Sequence, residues 1–173
     1  MTPSNDHGFT LIELLIVVAI ISIIAAMAVP NLLRARMTGN ETSAIASLSA
    51  VKNAEVMYSA SCGNNGFAVS FVVLGTPAPG TTEGFIGPDL GTVVAPMKSG
   101  YVFSLAPGNG AGAASTDCNG TATLTGYYAT GIPQTFGATG GRSFAINASN
   151  TTWQVNAAAA PTEPFGAPAV PIQ

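Results

Sequence analysis

A single carboxylate, Glu13, interrupts an otherwise apolar run from Phe9 to Val29. Charge in such a run is costly, by insertion scales about 2.5–3.5 kcal/mol at the middle of a bilayer and less toward its edge. A buried charge normally needs a partner; the alternative for Glu13 is a carboxylate that snorkels to a membrane interface without one. Two cysteines, Cys62 and Cys118, lie beyond the run, with no CxxC neighbour and no histidine nearby. Their spacing gives no basis for metal or redox chemistry. If that part of the chain is exported it meets an oxidising compartment, and a structural disulfide is then expected in preference to two free thiols. The bridge would close a loop of about 55 residues, worth roughly 4 kcal/mol by loop entropy. The only histidine is His7, and Glu41, Glu55, Glu83, Asp89, Asp117 and Glu163 show no paired or metal-ligand spacing. No catalytic residues, metal or cofactor are expected, and the chain does not read as an enzyme.

The elements that carry these residues follow from composition and period. Charged residues make up 8% of the 173-residue chain, against roughly 25% in ordinary soluble domains. The net charge is −3 and the five basic residues, Arg34, Arg36, Lys52, Lys98 and Arg142, are scattered, which argues against a nucleic-acid surface. Phe9–Val29 is 21 residues with one charge, about the length that crosses a bilayer core. Pro30 follows, and proline removes a helical N–H and clashes with the carbonyl four residues back. It marks either a helix boundary or, given the helix formers from Asn31 to Met37, a kink in a helix that continues. Ala44, Leu48, Val51, Glu55 and Tyr58 then fall at helical spacings, an apolar seam broken once by Glu55. Thr38-Gly39-Asn40-Glu41 reads as a capping box, so the helix either restarts there or runs through a tolerated glycine. From Phe9 to about Ser61 the helix reaches 53 residues, or roughly 80 Å. No small domain buries such a length, so part of it needs lipid or a partner.

Cys62-Gly63-Asn64-Asn65-Gly66 is a turn cluster that closes the helix. Residues 67–99 read mostly as loop. Strands are expected at Gly100–Ala106, Thr121–Thr130, Arg142–Asn147 and Thr151–Asn156, the last two forming a hairpin around Ala148-Ser149-Asn150. Tyr101, Phe103 and Leu105 alternate, as do Phe144 and Ile146, giving each strand an apolar face for the helix. Residues 157–173, rich in alanine and proline without a period, are expected to be a disordered tail.

The segment Gly8-Phe9-Thr10-Leu11-Ile12-Glu13-Leu14-Leu15-Ile16-Val17-Val18-Ala19-Ile20-Ile21 resembles the N-terminal signal of type IV pilins and pseudopilins. The resemblance extends through Pro30 into Asn31-Leu32-Leu33-Arg34-Ala35-Arg36. In that family a small residue precedes the cut, phenylalanine becomes the N-terminus, and a glutamate stands fifth in the mature chain. It implies a leader at residues 1–8, cleavage between Gly8 and Phe9 by a prepilin peptidase, and N-methylation of Phe9. It also implies an α+β, pilin-like fold: one long helix, its N-terminal half (residues 9–30) transmembrane and its second half (31–61) amphipathic, packed on a small antiparallel sheet in a β-rich unit over 62–156. Glu13 would pair with the amine freed at Phe9, on the same or a neighbouring subunit, and Pro30 would shape the assembly helix. The implied partners are copies of the chain in a helical filament, the peptidase, inner-membrane pilus assembly machinery, and lipid before assembly. The implied localisation is the bacterial inner membrane and then a cell-surface pilus.

Residues 1–8 hold Asp6 and His7 but no Lys or Arg, while Arg34 and Arg36 follow the run. Charge alone would favour the reverse orientation; the motif outweighs it. Two other exported classes compete. A type II secretion pseudopilin shares the signal, but its major form usually carries an acidic calcium-binding loop near the C-terminus, where this chain has only Asp117 and Glu163. An ordinary cleavable signal peptide would use Leu14–Ala28 as its apolar region and Ala26-Met27-Ala28 as its site. The Asn-x-Ser/Thr matches at Asn40, Asn119, Asn147 and Asn150 are short patterns to which no glycan is assigned.

Overall fold

The computed structural model describes residues 8–172. The expected leader, apart from Gly8, lies outside them, as do Asp6, His7 and Gln173. The chain divides into two compact units at Arg36/Met37, although one helix, α1 (Leu11–Ser61), runs without interruption from the first into the second.

In the first unit α1 continues through Pro30, so the boundary reading of that residue gives way to continuation. In the second it continues through Gly39, and the expected capping box at Thr38 is not formed. Thr38 is mid-helix, and the Glu41 carboxylate turns to Gly141 N and Arg142 instead.

The second unit is built on one face of α1. Ala44, Leu48, Val51, Glu55 and Tyr58 are all buried, as their helical spacing requires. Against them lies an antiparallel six-stranded sheet in the order β1 (Met97–Lys98), β2 (Tyr101–Pro107), β5 (Tyr127–Pro133), β6 (Ser143–Asn147), β7 (Thr152–Val155), β8 (Val170–Pro171). Tyr101, Phe103 and Leu105 of β2, Tyr127 and Ala129 of β5, and Phe144 and Ile146 of β6 supply the facing core. Gly131 lets helix and sheet close up: a Cβ there would stand 3.1 Å from Phe103 and 3.7 Å from Leu48. The β6–β7 hairpin turns through Asn150 at φ 64°, a left-handed geometry that asparagine tolerates.

The expected strand Thr121–Thr130 is two strands. β4 (Ala122–Leu124) pairs with β3 (Ala113–Thr116) in a separate ribbon, and β5 begins after Thr125-Gly126. Within 67–99, expected as loop, two short helices form, α2 (Phe71–Gly75) and α3 (Pro88–Gly91), which bury Phe71, Leu74 and Leu90.

The expected disordered tail is corrected as well. Residues 157–172 form a strap over the outer face of the sheet. Ser143 Oγ donates to Ala157 O, and Tyr128 Oη to Pro161 O. Glu163 accepts from Asn109 N and Asn147 Nδ2, and Phe165 stacks on Trp153 with ring centroids 5.2 Å apart. β8 then pairs with β7 as an edge strand. This cover is why Ser143 and Ala145 are buried along with Phe144 and Ile146. An aromatic anchor and an acceptor for two amides hold the strap without any periodic pattern.

Candidate processing and assembly segment

Gly8, Phe9 and Thr10 precede the helix and are exposed. The helix starts at Leu11 because Thr10 caps it. The Thr10 carbonyl accepts from Leu14 N at 3.3 Å, and its hydroxyl accepts from Glu13 N at 3.3 Å. In return the Glu13 carboxylate accepts from Thr10 N at 3.0 Å and from the Thr10 hydroxyl at 2.7 Å. This is a reciprocal capping box, which satisfies donors that a helix start otherwise leaves orphaned. It also sets a carboxylate at the positive end of the helix dipole. Sequence reasoning found the Thr-x-x-Glu signature at Thr38–Glu41 and missed the same signature at Thr10–Glu13, where it operates.

All residues from Gly8 to Arg36 are exposed, Phe9 at 84% and Leu11 at 81%. The stretch is long and apolar enough to cross a membrane. Its few polar side chains fold back on the backbone: Ser22 Oγ donates to Val18 O at 2.7 Å and Asn31 Nδ2 to Met27 O at 3.0 Å. That internal satisfaction is what a hydrocarbon environment demands of a helix.

In the second unit the structure bonds Cys62 to Cys118, joining the end of α1 to the loop between β3 and β4. The junction is reinforced by Cys118 N donating to Cys62 O at 2.8 Å and Asn64 Nδ2 to Thr116 O at 2.7 Å. Asp117 accepts from Tyr58 Oη at 2.8 Å, from Asn119 N at 2.9 Å and from Thr121 N at 2.6 Å. Glu41 is clamped at the other end of the buried face. Arg142 gives Nε and Nη2 to its Oε2 at 2.8 and 2.6 Å, and Gly141 N reaches Oε1 at 2.8 Å. Arg142→Ala would leave that carboxylate short of donors. A loss of about 2 kcal/mol is expected, below the 3–5 typical of fully buried pairs because the Arg142 side chain is 35% exposed. Denaturant midpoints should show it, and Arg142→Lys should recover little, since lysine cannot present the fork.

Glu55 is fully buried, with Oε2 accepting from Ala68 N at 2.9 Å. Burial pushes its carboxyl up to about 8, an effect only partly offset by the Ala68 hydrogen bond. Burial likewise raises the hydroxyls of Tyr58, Tyr101 and Tyr127, and brings that of Tyr128 to about 12 with help from Glu163. Among the described residues no group of three or more His, Cys, Asp or Glu could hold a metal ion.

A long helix, bare and apolar in its first half and packed on an antiparallel sheet in its second, defines an α+β fold of the pilin type. Residues 3–29 match the prokaryotic N-terminal methylation motif. The chain is similar to the type IV wide pilus major component PilA4 of Thermus thermophilus, at 54% identity over 54 residues covering 31% of this chain and 41% of that one. It is 46% identical over 51 residues to the type IV major pilin protein PilA of Myxococcus xanthus, covering 30% and 23%. The type II secretion system core protein G of Aeromonas hydrophila is 34% identical over 58 residues, covering 34% and 41%. The likeness thus spans less than half the length of each of these relatives. No solved structure matches the chain significantly. The likeness to type IV pilins and to a type II secretion core protein therefore rests on the N-terminal third of the chain, where the methylation motif lies.

Proposed function

We propose that the chain is a structural subunit of a type IV pilus. A prepilin peptidase removes residues 1–8 between Gly8 and Phe9, and the freed Phe9 amine is methylated. The apolar half of α1 holds the subunit in the inner membrane as a single span, and assembly machinery then moves it into a helical bundle with other copies. The observation that carries this reading is the uniform exposure of an apolar helix that bears one carboxylate in its first turn, within the matched methylation motif. In the bundle, Glu13 meets the Phe9 amine of its own or a neighbouring subunit and fixes axial register, while the surrounding Leu, Ile and Val pack without direction. Both hydrogen bonds from Thr10 fall on Oε2, which leaves the carboxylate a second oxygen for a cationic donor. Pro30 lies inside the same helix, where the missing N–H gives the assembly helix local freedom to bend.

The secretion pseudopilin is the second reading, favoured by the likeness to the Aeromonas protein. Against it, the two acidic side chains of the C-terminal third are already engaged, Asp117 by three donors and Glu163 by two. Stabilisation of the full chain by millimolar calcium would favour the pseudopilin. Mass spectrometry of the mature chain tests processing: a methylated Phe9 N-terminus is expected, and an N-terminus at Val29 would replace this reading with an ordinary signal peptide. Glu13→Ala should remain cleaved and membrane-inserted while surface filaments fall about tenfold or more; normal piliation would defeat the ion pair.

A further inference from the structure

We propose that Thr10 is a positioning residue for the cleavage, holding the Gly8–Phe9 peptide bond outside the helix. The inference rests on the processing reading above and deepens it. Hydrolysis adds water across Gly8 C and Phe9 N, leaving a carboxylate on Gly8 and an ammonium on Phe9. The attacked carbonyl is therefore that of Gly8, and it must be open to the peptidase.

In a helix extended by one turn, Gly8 O would accept from Ile12 N and Phe9 O from Glu13 N, by the regular four-residue bond. The scissile carbonyl would then be locked into the helical ladder. The capping box prevents this. Thr10 Oγ1 takes the Glu13 N–H at 3.3 Å, the donor that Phe9 O would need, and this bond does not depend on the Glu13 carboxylate. With Glu13 N–H, the donor for Phe9 O, already taken, a further turn lacks one of its bonds, the helix begins at Leu11, and Gly8, Phe9 and Thr10 stay exposed and non-helical. A second observation points the same way. A Cβ at Gly8 would meet nothing within 4 Å, so packing within the chain does not require a glycine there. Gly8 has instead low helix propensity, which adds to the cap's effect on the residue before the cut.

The test compares full-length precursor, inserted in membranes of cells that supply the peptidase, as wild type, Thr10→Val and Thr10→Ser. Valine keeps the shape and removes the hydroxyl; serine keeps the hydroxyl, and both Ser and Thr are good N-caps where Val is poor. Pulse-chase cleavage of Thr10→Val should slow by about threefold or more, the scale of a lost cap, with equal membrane insertion. Thr10→Ser should be cut at close to the wild-type rate. A Thr10→Val precursor cut as fast as wild type overturns the positioning role and leaves the processing reading intact. So does an equal slowing of Thr10→Val and Thr10→Ser, since the hydroxyl would then not be what matters. A wild-type chain whose mature end is not Phe9 removes the processing reading itself, and the positioning role with it.

Discussion

Raising the pH from 5 to 9 is expected to lower the stability of the β-rich unit by several kcal/mol, and Glu55→Gln is expected to abolish most of that loss. Glu55 sits on the buried face of α1 with one oxygen on Ala68 N, while its other oxygen and the buried Tyr127 hydroxyl make no hydrogen bond. The groups facing it, Tyr58 from its own helix and Tyr127 from β5, are neutral phenols, and among the described residues no cation offsets its charge. Folding therefore favours the protonated carboxyl, raising it from 4.5 to about 8. Because the folded value is the higher one, the contribution is complete below pH 4.5, declines as pH rises, and is gone above about 8. At about 1.4 kcal/mol per pH unit the full swing approaches 5 kcal/mol, a large part of the 5–15 kcal/mol typical of a domain. Urea midpoints of the full chain in detergent micelles, read through Trp153 fluorescence, would measure it at pH 5, 7 and 9. Few other groups titrate in this window, since His7 is the only histidine and both cysteines are bonded. Glutamine keeps an acceptor for Ala68 N without a charge, so its curve should be nearly flat and should lie above wild type at pH 9. Parallel curves for the two proteins would sink the idea.

The same residue shows what the sequence could and could not convey. Its helical spacing with Ala44, Leu48, Val51 and Tyr58 placed it on the buried face, because period alone decides which side of a helix a residue occupies. That it would be buried without a cation was not legible, since the partner of a buried charge is a long-range fact. Arg142 pairs instead with Glu41, a separation of 101 positions. The alternation in β2 and the β6–β7 hairpin were visible for the same local reason. The strap over residues 157–172 was invisible to such reasoning. It is held by single anchors, Phe165 on Trp153 and Glu163 between Asn109 and Asn147, and composition rich in alanine and proline carries no trace of them. The N-terminal motif was legible as a pattern of types, whereas its capping geometry was assigned one helical segment too late. Thr-x-x-Glu occurs at Thr10–Glu13 and again at Thr38–Glu41, and only Thr10 stands where the chain has not yet become helical. A capping signature specifies a helix start only if the preceding turn is absent, and in an uninterrupted helix the second copy is free to serve the core.

Removing the Cys62–Cys118 bridge should cost about 4 kcal/mol, and by the same amount at pH 5 and pH 9. The bond spans 56 positions, and loop-closure entropy for that length gives roughly 4 kcal/mol, acting on the unfolded chain. Glu55 and Tyr58 are buried in the last turns of α1 and Cys62 follows directly after it, so a contribution made through native packing would feel the ionisation of Glu55 about two turns away. One made through the unfolded chain would not. The folded junction keeps other ties when the sulfurs are replaced: Tyr58 to Asp117, Cys118 N to Cys62 O, and Asn64 to Thr116. A Cys62→Ala/Cys118→Ala chain should therefore fold to the same structure with its urea midpoint lowered in parallel across the pH range. Combined with Glu55→Gln, the two shifts should add within about 0.5 kcal/mol, as independent effects do. A bridge cost that grows at pH 9 would show that the disulfide restrains a native core already loosened by the Glu55 charge, and would move its contribution from the unfolded chain to the folded one.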